Sequence, residues 1–121
     1  MTDEKTTVAE LRRAMSEFVQ ARDWGKYHQP KNLAMSLAIE SAELMEHFQW
    51  LDHADSRKLL RDPGARREIA DEMADILAFL LALANTTGID LSSAFRAKMA
   101  GNETKYPAEV VRGHYRRPKR R

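Results

Sequence analysis

Apolar residues recur at intervals of three and four positions along most of this 121-residue chain, which is the spacing of one face of an α-helix. Between these runs stand residues that begin or end helices, namely Pro30, Pro63, Gly88 and Pro107. The alternating Val- and Ile-rich runs and Asn-Gly turns that mark strands and hairpins are missing from the sequence. The pattern therefore predicts an all-α protein, a bundle of about four principal helices.

Capping residues and helix breakers set the predicted boundaries. Thr6 or Thr7 is placed to cap the first helix, and Glu10 follows Thr7 at the spacing of a capping box. The predicted elements are a helix to about Asp23, a second helix from its cap Asn32 to about Asp52, a short helical turn over 56–60, a long helix over 65–87, and a last helix from Asp90 or Ser92 to just before Pro107. The residues that follow Pro107 are predicted to be extended or mobile.

Two of these helices place acidic side chains within an apolar face. The predicted faces are Leu33, Leu37, Leu44, Phe48 and Leu51 on the second helix, and Ile69, Met73, Ile76, Leu80 and Leu83 on the long one. Glu40 falls at the centre of the first face, and Glu72 projects into the second face between Phe79 and Leu83. A carboxylate in such a place is costly unless it is paired.

Composition excludes several classes of protein. The chain has no cysteine, so disulfides, thiolate zinc sites and cysteine nucleophiles are excluded. Neither a Gly-rich phosphate loop nor a Ser-His-Asp set is present. The N-terminus is polar, and the longest apolar run, 76–84, is too short to span a bilayer. We therefore expect a cytoplasmic protein with no membrane partner.

The charge of the chain is unevenly distributed. Residues 1–111 carry 14 basic and 18 acidic side chains, whereas 112–121 carry six basic ones and no acid. The sequence thus predicts one domain over 1–111 and a basic, flexible tail over 112–121. Such a tail could contact nucleic-acid phosphates, so a nucleic-acid-binding protein is one alternative reading. No recognised binding motif accompanies the tail.

Two acidic pairs carry the candidate chemistry. Glu40-x-x-Glu43 and Glu72-x-x-Asp75 each aim two carboxylates in one direction, because residues three apart share a helix face. Four converging acids repel one another, and a hard divalent cation such as Mg²⁺ would offset that repulsion. The competing interpretation is a solvated acidic face. A di-iron site is discounted because it needs Glu-x-x-His on each of two helices, and the long helix has no histidine.

Further residues are consistent with a nucleotide ligand. Aromatic side chains can stack on a base and a histidine can hydrogen-bond its edge, while basic and amide groups can hold phosphate oxygens. Taken singly, each of these residues is typical of packing or of an ordinary surface. The first group is Trp24, Lys26, Tyr27 and His28, the second is Trp50, and the third is Lys98, Asn102, Lys105 and Tyr106.

The order and spacing of these motifs resemble one known family. The runs are Arg22-Asp23-Trp24, His28-Gln29-Pro30-Lys31-Asn32-Leu33, Glu40-x-x-Glu43-Leu44, Phe48-Gln49-Trp50, Glu72-x-x-Asp75-Ile76-Leu77 and Lys98-Met99-x-x-Asn102-x-x-Lys105-Tyr106-Pro107. Together they are similar to the MazG-like nucleotide pyrophosphohydrolases, and most of all to the dCTP pyrophosphatase group. The resemblance covers roughly residues 8–110.

The resemblance implies a four-helix bundle with the all-α NTP pyrophosphatase fold, working as a homo-dimer or homo-tetramer. It implies an enzyme that converts a nucleoside triphosphate, dCTP or a modified dCTP, to the monophosphate and pyrophosphate. A non-catalytic nucleotide- or metal-binding regulator is the other alternative. Phe79 stands where the animal dCTP-directed members carry a tyrosine, which argues against a strict preference for dCTP.

The resemblance also implies roles for individual residues. The cofactor would be Mg²⁺, with Mn²⁺ able to substitute. The implied metal ligands and catalytic residues are Glu40, Glu43, Glu72 and Asp75. The implied substrate-binding residues are Trp24, His28, Trp50 and Phe79 around the base, and Lys98, Asn102, Lys105 and Tyr106 at the phosphates.

Overall fold

The computed structural model describes residues 1–114, and within that range the chain forms six α-helices and one 3₁₀ turn. The elements are α1 (Val8–Ala21), the 3₁₀ turn (Gly25–Tyr27), α2 (Pro30–Glu46), α3 (His53–Leu59), α4 (Pro63–Thr87), α5 (Leu91–Lys105) and α6 (Ala108–Val111). No strand occurs in residues 1–114. The predicted all-α class and its four longer helices are confirmed.

The ends of α1 and α4 follow from their sequences. Thr7 caps α1, and its hydroxyl accepts a hydrogen bond from the backbone N–H of Glu10 at 3.1 Å, as in the predicted capping box. The predicted end near Asp23 is wrong by two residues. Asp23 adopts a left-handed φ of 52°, which a continuing helix does not allow. Gly88 ends α4 with a φ of 71°, a conformation that glycine adopts without strain.

The predicted start of α2 at Asn32 is wrong. Gln29 precedes the helix and Pro30 is its first residue, because the fixed φ of proline suits the first helical position. The Asn32 amide instead donates to the backbone carbonyl of Tyr27 at 3.2 Å. The helix also ends at Glu46 and not near Asp52. Asp52 caps α3, since its carboxylate accepts from the backbone N–H of Asp55 at 2.8 Å.

The later helices differ from prediction mainly at their first turns. α3 begins at His53, three residues before the predicted turn over 56–60. α4 begins at Pro63 with Asp62 as its cap, two residues before the predicted start at 65. Asp90 caps α5, as predicted. The extended conformation predicted after Pro107 is wrong for 108–111, which form α6. Of the predicted tail, 112–121, residues 115–121 lie outside the described range.

The chain divides into two compact units, residues 1–88 and residues 89 onward. In the first unit, α4 packs mainly against α2 and also against α1. Asn85 of α4 donates to the backbone carbonyl of Arg12 at 2.9 Å and accepts from the guanidinium of Arg12 at 3.0 Å, which joins α4 to α1. The buried apolar residues are Val19, Leu33, Ile69, Leu81, Ala82 and Ala84.

Many other large apolar side chains are exposed. Met73, predicted to lie in the apolar face of α4, is 58% exposed, and Met35 and Ile39 of α2 are exposed to a similar extent. The predicted face is therefore wrong at Met73, because α1 and α2 do not cover that side of the helix. No single helix in residues 1–114 is long and apolar enough to cross a membrane, and α4 and α5 meet that criterion only when taken together as a bent pair.

Candidate active site

Three carboxylates meet where α2 packs against α4. Glu40 and Glu43 lie on one face of α2 because they are three residues apart, and Glu72 of α4 faces them. One carboxylate oxygen from each of the three lies within 4.8 Å of the others. Glu40 and Glu72 are half-buried and Glu43 is exposed. The two predicted acidic pairs are thus brought together, with three of the four carboxylates in one cluster.

The cluster has too few partners for its negative charge. The Oε2 atoms of Glu40 and Glu72 are buried and have no hydrogen-bond partner. No lysine or arginine within residues 1–114 forms an ion pair with the three carboxylates. Buried oxygens without partners are costly in a folded protein, so each one calls for an explanation.

The pKa values respond to this crowding. The pKa of Glu40 rises from its ordinary value of 4.5 to about 7. Burial, which removes water, is the largest cause; next comes hydrogen bonding with the Glu43 side chain, which favours the protonated form, and then the negative charges of Glu43 and Asp75. The pKa of Glu72 is also raised, first by burial and then by the charge of Glu43, while the charge of His47 acts in the opposite direction. Both shifts mean that the cluster resists full ionisation.

A divalent cation fits this set of residues. The available donors are carboxylate oxygens, which hard cations such as Mg²⁺ and Mn²⁺ prefer. A cation would give the unpartnered Oε2 atoms of Glu40 and Glu72 a ligand and would offset the repulsion that raises their pKa values. The cluster is consistent with a metal site and does not identify the metal.

The cluster predicts how the stability of the metal-free protein changes with pH. Because the folded-state pKa of Glu40 is above its ordinary value, the folded form binds more protons than the unfolded form between pH 4.5 and about 7. The melting temperature of the metal-free protein should therefore fall as pH rises through this window. Thermal melts at several pH values in EDTA would measure the slope.

The matched control for this slope is Glu40→Gln, which removes the titrating carboxylate. Its melting temperature should change less over the same range of pH. Adding Mg²⁺ to the wild-type chain should also flatten the slope, because the bound cation stabilises the ionised carboxylates. If the melting temperatures of the metal-free wild-type and Glu40→Gln proteins changed equally with pH, the raised pKa of Glu40 would be contradicted.

Asp75, the fourth predicted acid, lies one turn after Glu72 on α4 and is exposed. It is not among the three clustered carboxylates, although its charge contributes to the raised pKa of Glu40. Asp75 also lines a cavity of about 510 Å³. The residues that line this cavity are Leu11, Ala14, Met15, Phe18, Trp24, His28, Ala74, Asp75, Leu77, Ala78, Phe79 and Leu81. The cavity thus begins beside the carboxylates.

Three of the residues predicted to surround a base line this cavity: Trp24, His28 and Phe79. The ring of Trp24 meets the ring of Phe18 edge-on, with centroids 5.8 Å apart and planes at 74°. The guanidinium of Arg22 stacks over Phe18 at 3.8 Å. The segment that carries His28 is held to α4, because the hydroxyl of Thr86 lies 3.3 Å from the backbone carbonyl of His28 and donates to it.

The sequence does not predict that α1 lines the cavity. Leu11, Met15 and Phe18 recur at helical spacing, which predicts only an apolar face of a helix. Their spacing is the same for a face that packs in a core and for a face that lines a cavity. No sequence signal in α1 separates the two cases.

The other predicted site residues do not line this cavity. Trp50 follows α2, is 87% exposed and does not line this cavity. The four residues predicted to contact phosphates belong to the second unit: Lys98 and Asn102 are on α5, Lys105 is its last residue, and Tyr106 follows it. The ammonium of Lys105 lies 5.5 Å from the ring centroid of Tyr106. Their roles stay predictions.

Comparison with known proteins finds curated relatives that share one name. The chain is 38% identical over 107 residues to dCTP pyrophosphatase 1 of Rattus norvegicus, an alignment that covers 88% of this chain and 63% of the relative. It is 37% identical over 111 residues to dCTP pyrophosphatase 1 of Homo sapiens, covering 92% of this chain and 65% of the relative. The chain therefore spans less than two thirds of the length of these curated relatives.

A solved structure and a family match agree with these alignments. A pyrophosphatase from Archaeoglobus fulgidus superimposes with a TM-score of 0.79 at 39% identity, over 88% of this chain and 98% of that one. This likeness confirms the predicted fold. A sequence model described as the MazG-like family matches residues 35–115, a range that includes both acidic pairs. The chain belongs to the MazG-like family.

Proposed function

We propose that this chain is a metal-dependent pyrophosphohydrolase that converts a nucleoside triphosphate to the monophosphate and pyrophosphate. The observation that carries the proposal is the carboxylate cluster of Glu40, Glu43 and Glu72, with its unpartnered buried oxygens, beside a cavity with aromatic walls. The names of the rat and human relatives support dCTP, or a modified dCTP, among the substrates.

The metal ligands in this proposal are Glu40, Glu43, Glu72 and Asp75, with Mg²⁺ as the cation and Mn²⁺ able to replace it. A cation held there would neutralise phosphate charge and lower the pKa of a water molecule. Asp75 joins the set because its charge acts on Glu40 and because it follows Glu72 by one helical turn.

Side chains of the protein would accept the proton from water and stabilise the charge on the phosphates. Glu43 is the exposed carboxylate of the cluster, so it is the group that can accept a proton from water; Glu40 is the alternative. Water attacks the α-phosphorus in line, the bond to the bridging oxygen breaks, and pyrophosphate leaves. Lys98 and Lys105 stabilise the charge on the phosphates, and Asn102 and Tyr106 donate hydrogen bonds to them.

The base is assigned to the cavity of the first unit. Trp24 and Phe79 offer aromatic surface for stacking, and His28 offers one hydrogen-bonding ring. Trp50 is assigned as a further base contact, which requires that bound substrate or a second copy of the chain covers its exposed ring. Selectivity between bases depends on these walls.

The function is tested by measuring pyrophosphate release from the four NTPs, the four dNTPs and 5-methyl-dCTP, with Mg²⁺ and with EDTA. We expect Mg²⁺-dependent release of pyrophosphate, with no release of orthophosphate. Release concentrated on the cytosine deoxynucleotides would support a dCTP preference, whereas release spread across the bases would retain the reaction and remove that preference. No release from any of the nine would contradict the proposed function and favour a non-catalytic regulator.

We also propose that the protein works as a homo-dimer or homo-tetramer. Large apolar side chains on α2 and α4, including Met35, Ile39, Met45 and Met73, are more than half exposed. Apolar surface on this scale is typical of an interface between subunits. Light scattering should give a multiple of the chain mass of 13.9 kDa. A mass of one chain at micromolar concentration would contradict this proposal.

A further inference from the structure

The walls of the 510 Å³ cavity have few groups that can form hydrogen bonds. Among the described residues that line it, only Trp24, His28 and Asp75 carry side-chain nitrogen or oxygen atoms. The other lining residues are aliphatic, methionine or phenylalanine. Asp75 lies beside the carboxylate cluster and is assigned to the metal. Of the side chains that line the cavity, this leaves the indole N–H of Trp24 and the imidazole of His28 to form hydrogen bonds with a base.

These two side chains are fewer than the hydrogen-bonding positions on the pairing edge of a pyrimidine. The pairing edge of a pyrimidine presents three hydrogen-bonding positions, and that of a purine presents two or three. A site built to recognise such an edge places a partner at each position, because buried polar groups without partners are costly. Phe79 of α4 and Met15 of α1 instead line the cavity with apolar surface.

The size of the cavity also argues against close recognition of one base. Pockets of roughly 300–1,000 Å³ hold drug-sized ligands, and 510 Å³ falls within that range. A single pyrimidine ring leaves part of such a cavity unfilled. The cavity can therefore hold bases that differ in size and in their substituents.

We infer that this cavity selects the base of its substrate by shape and apolar contact and gives little weight to the hydrogen-bonding pattern of the base. The substrate class is then nucleoside triphosphates with a flat, weakly polar base, and cytosine is not singled out by its amino group. The inference rests on the proposed function, because it takes the cavity to be the place where the base of a triphosphate lies.

The direct test uses two triphosphates of equal shape and different polarity. One is dTTP, and the other is the triphosphate of difluorotoluene deoxyriboside, which has the shape of thymidine but lacks its strong hydrogen-bonding groups. Hydrophobic pockets separate such pairs by about a hundredfold or less, whereas sites that hydrogen-bond the substrate separate them by about ten-thousandfold or more. We expect kcat/KM values within about tenfold, and a lower KM for the less polar compound.

A second pair, dCTP and dUTP, differs at C4, which carries an amino group in dCTP and a carbonyl in dUTP, and at N3, which accepts a hydrogen bond in dCTP and donates one in dUTP. Their kcat/KM values should also agree within about tenfold. A separation of a thousandfold or more in either pair, with one member of the pair hydrolysed, would overturn the inference and leave the proposed function standing. Hydrolysis of none of the four, with hydrolysis of a purine triphosphate from the panel above, would overturn the inference alone. Hydrolysis of no triphosphate at all would overturn the proposed function, and the inference with it.

Phe79→Tyr adds one hydroxyl to the wall with little change in volume. In this variant we expect the kcat/KM for dTTP, relative to that for the difluorotoluene analogue, to rise by about tenfold, because only dTTP can use the added hydroxyl as a hydrogen-bond partner. Phe95→Tyr is the matched control, since Phe95 of α5 is 69% exposed and does not line the cavity. An unchanged ratio in Phe79→Tyr would show that the base does not contact this wall, which would also overturn the inference.

Discussion

Replacing Glu72 by glutamine is expected to lower Mg²⁺-dependent pyrophosphate release by about a hundredfold to a thousandfold, which is the size of effect seen when one stabilising group is removed from an active site. Glu40→Gln should have an effect of the same order. Both side chains have a buried oxygen with no protein partner, and glutamine cannot replace a carboxylate as a charged metal ligand. Initial rates at saturating Mg²⁺ measure the loss.

The same substitutions should not weaken the fold in the absence of metal. The pKa values of Glu40 and Glu72 are raised, so ionisation of these groups destabilises the metal-free protein near neutral pH, and a neutral amide removes that effect. We expect melting temperatures in EDTA at or above that of the wild-type chain. Glu46→Gln is the control on α2, because Glu46 is exposed and outside the cluster. An undiminished rate in Glu72→Gln would contradict the metal assignment.

The largest expected effect on stability comes from Leu33→Ala. Leu33 is 2% exposed on α2, the helix that packs most extensively on α4. Truncating a buried leucine removes apolar contacts and leaves a cavity, which costs about 2–5 kcal/mol. The free energy of unfolding should fall by this amount in urea denaturation followed by circular dichroism, with the m-value unchanged.

Leu51→Ala is the matched comparison. Leu33 and Leu51 fall on the same predicted apolar face, but Leu51 lies beyond the end of α2 and is 38% exposed. Its truncation should cost about 1 kcal/mol or less, because the side chain keeps contact with water in the folded state and its removal leaves no closed cavity. Equal losses at the two positions would mean that Leu51 is covered in solution, for example by a second copy of the chain.

Helix identity was predictable from the sequence because caps and breakers act locally. The side chains of Thr7 and Asp90 accept hydrogen bonds from backbone N–H groups in the first turn of a helix, and the left-handed backbone of Gly88 ends one. All three predictions are confirmed. The predicted start at Asn32 failed because two local signals compete there. Pro30 starts the helix two residues earlier, and Asn32 then bonds to the preceding loop.

The candidate site was predictable only in part. Spacing of three residues places Glu40 beside Glu43 on one helix, but spacing within a helix does not state which helices meet. The contact of Glu72 with this face depends on how α4 packs against α2. The only indication of it in the sequence was an acidic residue within an apolar face, which is costly unless it is paired. The exposure of Met73 was not predictable either, because periodicity does not reveal which apolar residues the rest of a short chain can cover.

One helix, α4, carries both a clustered carboxylate, Glu72, and one wall of the cavity, including Phe79. A second wall comes from α1, which carries none of the clustered carboxylates. The two walls therefore differ in how freely they can change during evolution. A substitution that shifts α4 alters substrate choice and metal geometry together. A substitution at Ala14 or Met15 reshapes the cavity from a helix outside the carboxylate cluster. New substrate preferences in this lineage should therefore arise first on α1.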